Sequence, residues 1–151
     1  MYGYSCELHA YFCDRNATIE TAARELQDWA DGAGLKDGWV PCSTWFWEED
    51  DVLKGVINIR HHLSPQLEAH GGHIGYAVAP SHRRQGIATG MLGEALGACR
   101  KLGITKALLT CDSDNPGSCR TIERNGGVLD REAWMPEHDR SGRWYWIDLG
   151  D

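Results

Sequence analysis

Arg83-Arg84-Gln85-Gly86-Ile87-Ala88-Thr89 is the stretch of this chain whose residue types and spacing point most directly to chemistry. The apolar run His73 to Ala79 reads as a strand, and a short turn leads from it into an amphipathic helix over Arg83 to Leu102. A helix N-terminus offers backbone N–H groups without intrahelical partners, and its dipole favours an anion. Arg83 and Arg84 add guanidinium groups beside it. Gly86 has no Cβ, so the backbone can approach the anion closely, and the small Ala88 keeps the next turn open. The competing reading is an ordinary strand–turn–helix with a solvated basic turn. No G-x-x-x-x-G-K-[ST] occurs, which excludes a Walker-type loop, and no G-x-G-x-x-G follows the strand, which argues against a dinucleotide fold.

The elements that must position this turn follow from periodicity. Tyr4 to Cys13 could form a first strand. Thr18 to Ala30 reads as a helix capped by Thr18, with Ile19, Ala22, Ala23, Leu26 and Ala30 on one face. Cys42 to Glu48 and Val52 to His61 are β-prone and flank Glu49-Asp50-Asp51, so they read as an antiparallel hairpin. Ser64 to Gly72 reads as a loop. The core face of the long helix is Ile87, Met91, Leu92, Ala95, Leu96, Cys99 and Leu102. Ile104 to Cys111 is apolar enough for a strand buried on both faces. Asn115 caps a short helix over Ser118 to Arg124, which Asn125-Gly126-Gly127 stops. Arg143 to Leu149 reads as a last strand. This order gives an α/β (α+β) mixture around one central sheet.

The 151 residues fit one domain, 1–151, with a sizeable core. The net charge of −7 makes nucleic acid a poor partner and a cationic small molecule a better one, although solubility alone explains such a charge equally well. No apolar run reaches membrane-spanning length and no secretory leader is visible, so a cytoplasmic location is expected. Cys6, Cys13, Cys42, Cys99, Cys111 and Cys119 form no C-x-x-C and read as reduced and structural. The Asn16-Ala17-Thr18 sequon carries no meaning without secretion. His61, His62, His70 and His73 lack the tight spacing of a zinc site, so no metal is expected.

Arg83-x-x-Gly86-x-Ala88, after a strand ending Val78-Ala79-Pro80, resembles the pyrophosphate-binding motif of the GNAT superfamily of acyl-CoA-dependent N-acetyltransferases. Thr110-Cys111-Asp112-x-x-Asn115-x-x-Ser118 is similar to the strand end and helix start that face the pantetheine arm there. With Gly71-Gly72-His73-Ile74-Gly75-Tyr76 and Ile122-Glu123-x-Asn125-Gly126-Gly127, the set looks like a bacterial subgroup of predicted acetyltransferases. The likeness is best from Gly71 to Gly127, moderate over Trp39 to Arg60 and Arg143 to Leu149, and poor before residue 35. It implies a mixed central sheet that splays near its middle, with helices on its flanks and acetyl-CoA as co-substrate in the split. It further implies cofactor contacts from Tyr76, Ala77 and Val78 on the strand, from Arg83, Arg84, Gln85, Gly86, Ile87, Ala88 and Thr89 at the turn, and from Asn115 and Ser118. Many members carry a tyrosine seven residues after that asparagine, as general acid for the departing thiolate; here the position is Ile122.

Acyl transfer from a thioester to an amine needs a held diphosphate, a polarised carbonyl, a neutral amine and a thiolate able to leave. A backbone N–H near Ala77 or Val78 would polarise the carbonyl. His73 is the first candidate for general base, because an imidazole titrates near working pH. Its strand parity fits the family poorly, and a hydrogen-bonded structural histidine is the equal alternative. Glu48 and Glu49 come second as bases, although a solvated hairpin turn suits them better. Tyr145 and Cys111 are the candidates left for protonating the thiolate, and Cys119 is a poor candidate for a covalent nucleophile. Trp39, Trp45 and Trp47 beside acidic residues could line an acceptor pocket, against a core role.

The leading expectation is transfer of an acetyl group from acetyl-CoA to a primary amine. The first acceptor class is a cationic small molecule, an aminoglycoside-type antibiotic or a polyamine. A protein or peptide amine is the next, and a non-catalytic acyl-CoA sensor or a cofactor-free interaction domain are the alternatives. Many family members dimerise, but no residue here specifies a homodimer.

Overall fold

The computed structural model describes residues 19–150. The strand expected over Tyr4 to Cys13, the Thr18 cap, Cys6, Cys13 and the sequon lie outside the described residues. The described residues form four α-helices and six strands in order: α1 (Ile19–Ala30), β1 (Cys42–Glu49), β2 (Val52–Arg60), α2 (Pro65–Ala69), β3 (Ile74–Val78), α3 (Ile87–Lys101), β4 (Lys106–Asp112), α4 (Pro116–Arg124), β5 (Val128–Met135) and β6 (Arg140–Asp148). The mixed α/β fold expected from the sequence is present. Its strands divide into two three-stranded sheets, β1-β2-β3 and β4-β6-β5, with antiparallel neighbours throughout.

The β1–β2 hairpin turns where the charged run predicts, and Asp50 and Asp51 both adopt positive φ to make the reversal. From Thr21 onward in α1, Ala22 and Trp29 are buried, while Ala23 is exposed. Ser64 caps α2 by accepting the Leu67 N–H, and Leu67 is buried beneath that turn. The sequence reads this segment as a loop, because five residues with Leu67 as the one large apolar side chain give no periodicity.

The core joins both sheets to α3 and α4. Ile57, Ile59 and Ile74 of the first sheet meet Met91, Leu92, Ala95, Leu96 and Cys99 of α3. Ala107 and Leu109 of β4, with Tyr145 and Ile147 of β6, complete it against Cys119 and Ile122 of α4. Leu102, expected on the same helix face, is 39% exposed because it is the C-cap of α3. Leu108 points to the other side of β4, into a second cluster with Met135 and Trp144. The strand is buried on both faces, as its unbroken apolar run requires.

Main-chain bonds join the two sheets at one seam. Gly72 bridges Leu109, and the His73 N–H donates to the Leu108 carbonyl at 2.7 Å. Gly72 has φ +63°, and a Cβ there would collide with the Leu108 carbonyl, so glycine is required by both conformation and contact. Beyond this seam β3 pairs with β2 alone, which leaves its other edge facing a split.

Candidate functional site

The free edge of β3 can be read from its register. Arg60 donates to the His73 carbonyl and Ala79 donates to the Lys54 carbonyl, so the carbonyl of 73 and the backbone groups of 75 and 77 bond towards β2. Antiparallel pairing alternates. Tyr76 and Val78 therefore aim their backbone groups into the split, and Ala77 aims its own at Val56. Of the two N–H groups expected to polarise a carbonyl, Val78 faces the opening and Ala77 does not.

Past Val78 the chain makes a short 3-10 turn over Pro80–His82 and reaches α3 at Ile87, four residues later than the sequence suggests. The difference lies in the backbone of the turn. Arg84 has φ +64° and Gly86 has φ +82°, and neither conformation continues a right-handed helix. A non-glycine residue held at positive φ costs about 1 kcal/mol or more. Gly86 is the N-cap and offers no side chain, so the N–H groups of Ile87, Ala88 and Thr89 lack capping partners from it. A Cβ built on Gly86 meets nothing within 4 Å, so the cap opens onto free space. The side chain of Arg83 turns back across the strand end, its Nε donating to the Val78 carbonyl at 3.1 Å.

These groups line one groove of about 440 Å³. Tyr76, Ala77 and Val78 form its β3 wall; Arg83, Arg84 and residues Gly86 to Thr89 form its floor. Asn115 and Ser118 come from the start of α4, where the Asn115 Oδ1 accepts the Ser118 N–H at 3.1 Å. Gln85 alone of the expected cofactor residues does not line the groove; its side chain donates to the Ser81 carbonyl instead. The groove also takes in His82, Gly117, Arg120, Thr121 and Arg124, which sequence reasoning did not single out. Arg120 and Arg124 arrive through tertiary contact: Asn125 Nδ2 donates to the Thr89 carbonyl at 3.2 Å and seats the end of α4 against the first turn of α3. Four guanidinium groups thus surround one groove in a chain of net charge −7. Such local concentration focuses a positive field on an otherwise anionic molecule.

Tyr76 crosses the split. Its hydroxyl donates to the Ser118 carbonyl at 3.5 Å, and burial pushes its pKa up to about 12. The phenol is therefore protonated at any working pH. Ile122, which stands where the resemblance leads one to look for a tyrosine, is 1% exposed and belongs to the core.

His73 does not join the groove. It is 7% exposed, and its Nδ1 accepts the Leu108 N–H at 3.0 Å. With Nδ1 as acceptor, the neutral ring carries its proton on Nε2 and has no free lone pair for an amine. Burial, then the nearby Arg60, holds its pKa down at about 4. The candidate base His73 lies outside the groove, where it fastens β4 to the start of β3 with both main chain and ring.

The remaining candidates also lie elsewhere. Glu49 is paired with Lys54 at 2.6 Å in the hairpin, and that contact holds its carboxyl below the ordinary value. Tyr145 is fully buried, its hydroxyl 3.1 Å from Glu123 Oε1. Cys111 and Cys119 face each other at 3.6 Å, and burial raises the Cys111 thiol far above the usual range. Trp39 stacks edge-on against Trp29, Trp47 packs on the core, and Trp45 is exposed. None of these residues lines the groove.

Comparison with known proteins agrees with this architecture. The model of the acetyltransferase (GNAT) family matches residues 9–127. An acetyltransferase of that family from Streptococcus pneumoniae superposes with a TM-score of 0.66 at 17% identity, over 90% of this chain and 79% of its own. The yncA protein of Salmonella typhimurium, determined with its cofactor acetyl-CoA, gives 0.65 at 15% identity, over 91% and 78%. A mutant of the spermidine N-acetyltransferase SpeG from Vibrio cholerae gives 0.60 at 18% identity, over 94% and 88%. No curated protein sequence matches the chain.

Proposed function

The chain belongs to the GNAT family of acetyltransferases, and from that premise we propose that its groove holds acetyl-CoA for transfer of the acetyl group to a small cationic amine. The observation that carries this reading is the junction of an uncapped helix N-terminus with an unpaired strand edge in one groove. The first suits a diphosphate and the second suits an arm of amides. The open space at Gly86 is where the diphosphate fits.

In this reading the N–H groups of Ile87, Ala88 and Thr89, with Arg83 and Arg84, bind the diphosphate. The edge of β3 pairs with the pantetheine amides as a further strand would. The Val78 N–H donates to the thioester oxygen, where negative charge develops as the amine adds. A neutral amine forms the C–N bond, the C–S bond breaks, and the nitrogen releases its proton to water. Tyr76 gives its hydroxyl proton or a hydrogen bond to the departing sulfur and recovers from solvent.

For the acceptor, two observations support a polyamine-like cation. The SpeG relatives act on spermidine. The acidic hairpin tip, Glu48 to Asp51, lies close enough to the groove-lining His82 for Glu49 to feel its charge. An aminoglycoside-type amine has the same charge and stays in the panel.

The test is titration of acetyl-CoA followed by thiol release with polyamines, aminoglycosides, amino acids and peptides. Binding with release for polyamines or aminoglycosides is expected. Release only with peptides or amino acids would overturn the acceptor assignment, and no binding would overturn the cofactor assignment.

A further inference from the structure

We propose that Arg120 and Arg124 recognise the 3′-phosphate of coenzyme A and make the groove discriminate it from the 3′-dephospho cofactor. The inference rests on the reading that the groove takes acetyl-CoA. It concerns the second anionic group of that molecule, which the turn at Gly86 does not account for.

Arg83, Arg84 and the first turn of α3 form one anion site. Arg120 and Arg124 form another on α4, four residues apart, so both project from the same helix face into the groove. Like charges at this spacing repel each other in an isolated helix. Among the described residues neither guanidinium has a carboxylate within ion-pair distance. Arg140 and Arg143, by contrast, are each bonded to one, and Arg131 lies over the Trp144 ring. Arg124 also stands in the last turn of α4, where a cation offsets the helix dipole. That explanation covers Arg124 and leaves Arg120 without one.

The placement of the pair fits a neighbouring phosphate. Asn125 bonds the Thr89 carbonyl, so Arg124 flanks the turn assigned to the diphosphate. Arg120 lies one helical turn further towards Ser118 on the same wall. A phosphomonoester carries about two negative charges and three acceptor oxygens. Two guanidinium forks can meet it, with geometric as well as electrostatic selectivity.

The experiment compares binding of acetyl-CoA and 3′-dephospho-acetyl-CoA by calorimetry, for the wild-type chain, Arg120→Gln/Arg124→Gln and Arg83→Gln. Both α4 positions are exposed, so their substitution leaves the core intact. The wild type is expected to prefer acetyl-CoA at least about tenfold, the order of one charge-assisted hydrogen bond. The double variant is expected to bind both cofactors equally, losing more affinity for acetyl-CoA than for the dephospho form. Arg83→Gln is expected to weaken both cofactors by the same factor. Equal wild-type affinities, or a preference that survives the double substitution, would overturn the inference and leave the cofactor reading standing. A double variant that loses both cofactors equally would do the same. Binding of neither cofactor to the wild type would overturn the reading and the inference together.

Discussion

Gly86 allows the anion site to be tested one variable at a time. Three substitutions separate conformation, bulk and charge. The residue has φ +82°, so Gly86→Ala forces a methyl group into the left-handed region at a cost of about 1–2 kcal/mol. For a chain of this length that lowers Tm by about 2–8 °C. Asparagine tolerates the same conformation more readily, and aspartate has its shape with one added charge. The Gly86 Cβ would meet no protein atom within 4 Å, so the added groups enter the groove and do not disturb packing. A carboxylate about 6 Å from a diphosphate charge is repelled by about 3 kcal/mol at an effective dielectric near 20. The groove is open to solvent, so roughly half of that survives screening. Gly86→Asp is therefore expected to bind acetyl-CoA about tenfold more weakly than Gly86→Asn. The difference should shrink as salt is raised. Calorimetric titration of the three variants, alongside their melting curves, reads both effects. Equal affinities for Asn and Asp, with both proteins folded, would refute the placement of an anion at this turn.

His73 makes stability depend on pH. Its folded pKa of about 4 lies below the ordinary 6.5, so the native state favours the neutral ring. The contribution is fully present above about pH 6.5 and is lost as pH falls towards 4; it amounts to about 3 kcal/mol. Urea titrations from pH 7 to pH 4 should show this slope in the wild type and a shallower one in His73→Gln, whereas parallel curves would count against it. The pH profile of acetyl transfer in a folded His73→Gln should keep its shape, and loss of its acidic limb would restore the histidine to catalysis. Tyr76→Phe should lower kcat about tenfold and leave the KM for acetyl-CoA within about twofold; an unchanged kcat would remove Tyr76 from the departure of the thiolate. Gly72→Ala forces both positive φ and a collision with Leu108, so a loss of more than about 3 kcal/mol is expected. A near-neutral effect in denaturant melts would mean that the seam is not where it is drawn.

Much of the site could be read from residues close together in the chain. Arg83, Gly86, Ala88 and Asn115 each act through local backbone geometry, and a helix cap or a tight turn is written in a few consecutive residues. Arg120 and Arg124 could not be found that way, since tertiary contacts such as the Asn125 bond to Thr89 bring their helix beside the turn. His73 leaves two readings open in the sequence, because an imidazole on a strand carries the same letter whether its ring faces a groove or a neighbouring amide. β5 was missed for a related reason. Residues Val128 to Trp134 are exposed, so this edge strand, Val-Leu-Asp-Arg-Glu-Ala-Trp-Met, has no alternation of apolar and polar faces to reveal it. The late start of α3 is a matter of two dihedral angles, at Arg84 and Gly86, and the apolar spacing further along the helix does not constrain them.

The seam at Gly72 and His73 has a mechanical consequence. Main-chain bonds join the sheets at that end, while towards the far end Tyr76 reaches α4 with a 3.5 Å contact to Ser118. The arrangement is a hinge with a weak latch. Four residue steps along β3, from Ile74 to Val78, make an arm of about 13 Å. A rotation of about 5° at the hinge then moves the mouth by about 1 Å, which is enough to make or break a hydrogen bond. The stiffness of that joint, set by an amide and an imidazole on Leu108, therefore governs how tightly an arm laid along the strand is gripped.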